Sequence, residues 1–74
     1  MQHDANLIGR KIARLRYQKG WTQDMLAAKV QVLQCNITRD ILANIELRRS
    51  LVKAKHCCFI AKALGVTVQE LFQP

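Results

Sequence analysis

Apolar residues recur along this chain at intervals of three and four, the period of helices that each bury one face. Ile8, Ile12 and Leu15 form the first such stripe. It predicts a helix from Leu7 to Lys19, capped by Asn6 and closed by Gly20 in the left-handed position that ends many helices. Arg16, four residues after Ile12, falls at the edge of the same stripe. Thr22 is the N-cap of a second helix, Gln23 to Val32, with Asp24 near its positive end and Leu26, Val30 and Leu33 as its stripe. Trp21 stands at the joint, where it closes one end of a core. Gln34, Cys35 and Asn36 read as a polar connection.

Thr38 caps a third helix, Arg39 to Leu47. Leu42 and Ile45 face inward, with Ile37 packing just before the cap. Thr38, Arg39, Asp40, Ala43 and Asn44 face outward. A fourth helix runs from Lys53 to Leu64, or begins earlier with Ser50 as cap. Its stripe is Cys57, Ile60, Ala61 and Leu64, and Gly65 ends it. Thr67 and Glu70 form a T-x-x-E capping box that opens a short fifth helix burying Val68, Leu71 and Phe72. Strand-type alternation is absent. The pattern predicts an all-α fold of five short helices over residues 7–72, with a tail at 1–6 and an end at 73–74.

A chain of 74 residues buries only about 60% of its unfolded surface. It has room for a thin core and none for a deep catalytic cleft. Hydrophobic residues make up 50% of it, too many for a disordered tail. Twelve Lys and Arg against five Asp and Glu leave a net charge of +7 and a pI near 9.9. Such an excess is the footprint of a polyanion-binding surface, although charge alone does not choose among DNA, RNA and an anionic membrane. No stretch reaches the ~18 apolar residues of a membrane span. Met1-Gln2-His3-Asp4 lacks the basic and apolar regions of an export signal. The cysteines are three, Cys35, Cys57 and Cys58, an odd number that suits a reducing cytoplasm.

Four pieces now stand in order. They are Ile8-Gly9-Arg10-Lys11-Ile12 with Leu15-Arg16, Thr22-Gln23 with Leu26-Ala27, Ile45-Glu46, and Ile60-Ala61-Lys62-Ala63-Leu64-Gly65-Val66 with Glu70-Leu71-Phe72. Together they resemble the phage repressor/Cro-like helix-turn-helix family, also called the xenobiotic-response-element family, over residues 7–72. The resemblance implies a five-helix repressor-like domain that binds double-stranded DNA as a transcriptional regulator, with helix three in the major groove.

Carried over residue by residue, the resemblance places Thr38, Arg39, Asp40 and Asn44 against base edges and Gln23 against a phosphate. The chemistry fits: Arg bonds guanine O6 and N7 together, Asn pairs with adenine, and Asp accepts from cytosine N4. Arg48, Arg49 and Lys53 follow helix three and are candidates for phosphate contact. Arg16 needs a partner if it is buried, and the resemblance pairs it with Glu46 as a structural ion pair. The chain departs from the family in three places. Gln31 to Asn36 is about one helical turn longer than the usual joint, Arg48-Arg49 follows Ile45-Glu46-Leu47 where a glycine is common, and Ile41 fills a place usually small and polar. Ile41 either meets thymine methyl groups or packs.

No cofactor, small-molecule ligand or catalytic constellation is evident. His56, Cys57 and Cys58 lack the paired spacing of zinc ligands, so metal binding is not expected. A homodimer is expected, with helix five and Phe72 as its surface. The alternative is a protein-interaction module of the same fold, an antitoxin or adaptor with an acidic partner on the basic face.

Overall fold

The computed structural model describes residues 5–47 and 52–72, with side chains from residue 8 onward. Five helices follow one another: α1 (Ala5–Gln18), α2 (Gln23–Val32), α3 (Arg39–Glu46), α4 (Ala54–Leu64) and α5 (Val68–Leu71). The described residues contain no strand. None of their helices is long and apolar enough to cross a membrane.

The stripes meet in one core. Ile12, Leu26, Val30, Ile37, Leu42, Ile60 and Leu71 have no exposed surface. Each contributes roughly 1.5–3 kcal/mol of hydrophobic stabilisation. Leu15, Trp21, Phe59, Val68 and Phe72 pack half-buried around them. Helix α1 lies against α3 with little to spare. A Cβ added to Gly9 would collide with the Ile45 carbonyl oxygen, so only glycine permits this approach.

The caps explain the boundaries. Thr22, Thr38 and Thr67 each sit in extended backbone and accept from the amide three residues on, of Met25, Ile41 and Glu70. Glu70 Oε1 accepts in return from the Thr67 amide at 3.1 Å, completing the box. Helix α1 closes on Gly20 at φ +73, where the Trp21 amide reaches back to the Arg16 carbonyl at 3.2 Å. Gly65 closes α4 in the same manner, at φ +76.

Several expected boundaries move. Helix α1 begins at Ala5, so Asn6 lies inside it and does not cap it. Helix α3 stops at Glu46, with Leu47 as its cap. Helix α4 begins at Ala54, and Lys53 is an N-cap whose side chain makes no capping bond. The alternative cap Ser50 lies outside the described residues.

The joint between α2 and α3 holds the largest surprise. Helix α2 ends at Val32, as its stripe predicts. The additional residues form a bend in which Gln34 takes a left-handed φ of 71°. Cys35, expected in a polar connection, is buried in the core beside Ile37. Gln31 Nε2 donates to the Ile37 carbonyl at 2.8 Å and ties the bend to α2. A buried thiol at this point behaves as a small hydrophobe.

Candidate nucleic-acid interface

The candidate surface is built around two helix starts. Hydroxyl caps hold the first turns of α2 and α3, and each helix places its remaining N-terminal amides at a positive dipole end. On α3, Thr38, Arg39, Asp40 and Asn44 are all exposed, while Ala43 is half-buried. The inward side of the same helix is fixed by buried Leu42 and Ile45. This anchoring sets which residues project outward. Ile41, left open between contact and packing, lies at the exposed side, 37% accessible.

Arg39 does not stand alone. Its Nε lies 3.6 Å from Asp24 Oδ1, and its guanidinium is 4.0 Å from Asp40 Oδ1. All three side chains are more than half exposed, so these pairs add little stability. The pair with Asp24 brings the first turn of α2 next to that of α3.

Behind this surface sits a polar knot. Arg16 Nε donates to Glu46 Oε2 at 2.9 Å, and its terminal nitrogen to Oε1 at 2.8 Å. The other terminal nitrogen donates to the Trp21 carbonyl at 2.8 Å. Only 6% and 5% of the Arg16 and Glu46 side chains are accessible. The carboxylate raises the Arg16 pKa further above its ordinary value, against the opposing effect of burial. Two parallel bonds between planar groups give this pair a fixed geometry.

Gln23 joins the knot. Its Nε2 donates to Glu46 Oε1 at 3.1 Å. A single oxygen of Glu46 therefore receives both Arg16 and Gln23. The amide keeps a second N–H and its oxygen for other partners. The sequence reading assigned Gln23 to phosphate and Glu46 to Arg16 without joining them. The available signal was the acceptor capacity of a carboxylate, about four lone-pair sites of which Arg16 uses two.

Lys53 is exposed at the start of α4. Arg48 and Arg49 lie outside the described residues. Helix five offers less apolar surface than expected for a dimer contact, because Leu71 is fully buried and Val68 and Phe72 pack half-buried on the core. The exposed large apolar side chains among the described residues are elsewhere: Tyr17, Met25, Val32, Ile41 and Leu47.

The three neighbours His56, Cys57 and Cys58 go separate ways: half-buried, buried and exposed. Burial pushes the Cys57 thiol up, and burial followed by Lys53 and Lys55 pushes His56 down. Among the described residues, no three His, Cys, Asp or Glu side chains come together as a metal site.

The chain matches the profile of the helix-turn-helix family over residues 11–71. That span includes all of α2 to α5 and most of α1. No curated protein and no solved structure matches it.

Proposed function

The chain belongs to the helix-turn-helix family of the Cro/C1 type, a family of DNA-binding, typically non-enzymatic domains, and from that premise we propose that it is a sequence-specific transcriptional regulator. Helix α3 enters the major groove. Arg39 and Asn44 read bases, with Thr38 and Asp40 beside them. Gln23, Lys53, Arg48 and Arg49 hold phosphates. The observation that carries this reading is the outward side of α3, a compact polar face on a helix whose other side is locked in the core. It lies next to the capped start of α2, where backbone amides favour a phosphate.

A second copy completes the site. We propose a homodimer that reads two half-sites about one helical turn apart, some 34 Å. The half-buried Val68 of α5 and Phe72, which caps it, contribute part of its contact. The protein works in the cytoplasm with its cysteines reduced.

Selection of bound duplexes from a random pool tests the reading and defines the site. Arg39→Ala and Asn44→Ala should each relax preference at one or two base pairs, by ~1–3 kcal/mol. If the selected sequences share no preference, specific DNA reading gives way to a protein-interaction role. If preference exists but survives both substitutions, the base-reading register is wrong.

A further inference from the structure

Helix α1 carries a second basic surface that the helix-turn-helix does not use. Its sequence, Ala5 to Gln18, contains no acidic residue. Arg10, Arg14 and Tyr17 project on the side opposite Ile8 and Ile12, and all three are exposed. The two arginines are one turn apart, about 6 Å along the axis. Neither has an ion-pair partner among the described residues. They line an open groove with Ala13, Tyr17, Gln18 and Glu46.

Tyr17 borders both this groove and a second open one, and joins them. It is 71% exposed, and the second groove leads to Gly20, Trp21, Thr22 and Gln23. The α1 surface is therefore continuous with the start of α2. The one acid in the first groove does not cancel its charge, because Glu46 is almost wholly buried and bonded to Arg16.

We propose that Arg10, Arg14 and Tyr17 form an accessory strip for the phosphate backbone of DNA, extending the contact at Gln23 along α1. The inference rests on the DNA-binding reading above. Two arginines one turn apart on an acid-free helix complement a polyanion with closely spaced charges. A tyrosine hydroxyl at the junction supplies a neutral donor to a phosphate oxygen. A strip of this kind positions the protein and carries no sequence information.

The test is a salt titration on a selected duplex and its scrambled counterpart, using the full chain. In the R10A/R14A variant, the slope of log K against log salt should flatten by about 1.8 on both duplexes. Between 50 and 200 mM salt, wild type should then lose about twelvefold more affinity than the variant. The ratio between matched and scrambled duplexes should stay unchanged. Tyr17→Phe keeps the ring over which Arg16 lies and should weaken both duplexes roughly two- to tenfold at constant slope. Lys62→Ala, an exposed charge on α4, controls for net charge and should leave the slope unaltered.

A wild-type slope in R10A/R14A, with wild-type binding intact, overturns the strip and leaves the DNA reading standing. So does a slope that flattens as much in Lys62→Ala. An unchanged slope together with lost binding to polyglutamate would assign the strip to an acidic protein instead. Absence of any duplex binding by the wild type overturns both readings.

Discussion

Removing Glu46 should unsettle this fold more than its size suggests. Glu46→Ala leaves the Arg16 guanidinium in place, with about nine-tenths of its side chain inaccessible to water. Two of its N–H groups lose their acceptor, and the Gln23 amide loses one as well. Gln23 is half-buried and can turn to solvent. Arg16 cannot turn freely, because another of its nitrogens is bonded to the Trp21 carbonyl. Breaking a buried pair in this way costs ~3–5 kcal/mol. A chain of 74 residues has a total stability of about 4–11 kcal/mol. The variant should therefore be marginally folded, with a melting temperature more than ~12 °C lower. Replacing both partners by apolar residues of similar volume, Arg16→Met with Glu46→Leu, removes the stranded charge. The double variant should recover most of the loss, since such exchanges are often neutral. Urea unfolding followed by circular dichroism gives all the corners of the cycle. A loss under ~1 kcal/mol for Glu46→Ala would refute the reasoning. So would a double variant no more stable than the worse single.

Gly9→Ala should destabilise the domain by ~1–2 kcal/mol, read by thermal melting. The clash with the Ile45 carbonyl outweighs the ~1 kcal/mol that alanine offers in a helix. His56 has a folded-state pKa below its ordinary 6.5, from burial and then Lys53 and Lys55. The unfolded chain therefore binds more protons near that pH. The stability His56 contributes is complete above pH ~6.5 and is lost as pH falls through the folded pKa. His56→Gln should flatten the stability profile in that window, and an identical profile would count against the assignment. In native protein, a thiol reagent at neutral pH should modify Cys58 quickly and spare buried Cys35 and Cys57 until the chain is unfolded. Equal reaction at all the cysteines would contradict the burial pattern.

Much of this architecture was legible because it depends on local rules. Thr22, Thr38 and Thr67 announce helix starts, and the structure places a side-chain cap at each. Gly20 and Gly65 announce helix ends, and both take positive φ. The apolar stripes identify the core down to Ile12, Leu42 and Leu71. What stayed hidden is what tertiary contact decides. Asn6 has the chemistry of a cap, yet α1 begins before it. Cys35 sits between polar neighbours, so periodicity could not reveal that a bend at Gln34 turns it inward. The outward face of α3 followed from its stripe, but the reach of Asp24 to Arg39 depends on how α2 and α3 lie together. Gln23 was legible as a helix-start residue, while its bond to Glu46 spans 23 positions.

That last bond connects stability to the proposed reading of DNA. Glu46 is the final residue of α3, Arg16 lies near the end of α1, and Gln23 opens α2. Charge-assisted bonds among them relate three helices at one point. The relation matters because the proposed reading sets Gln23 on a phosphate and α3 on bases. A backbone contact sets register only if it is rigidly related to the residues that read sequence. Here that rigidity comes from a buried carboxylate shared between a core arginine and a surface glutamine. At the bend around Gln34, the Gln31 side chain ties α2 to the residues leading into α3. The knot at Glu46 therefore aligns the two helices from the opposite end of α3. Gln23→Ala should then reduce affinity for every duplex and also blur preference at the bases, whereas loss of a freely projecting phosphate contact would reduce affinity alone.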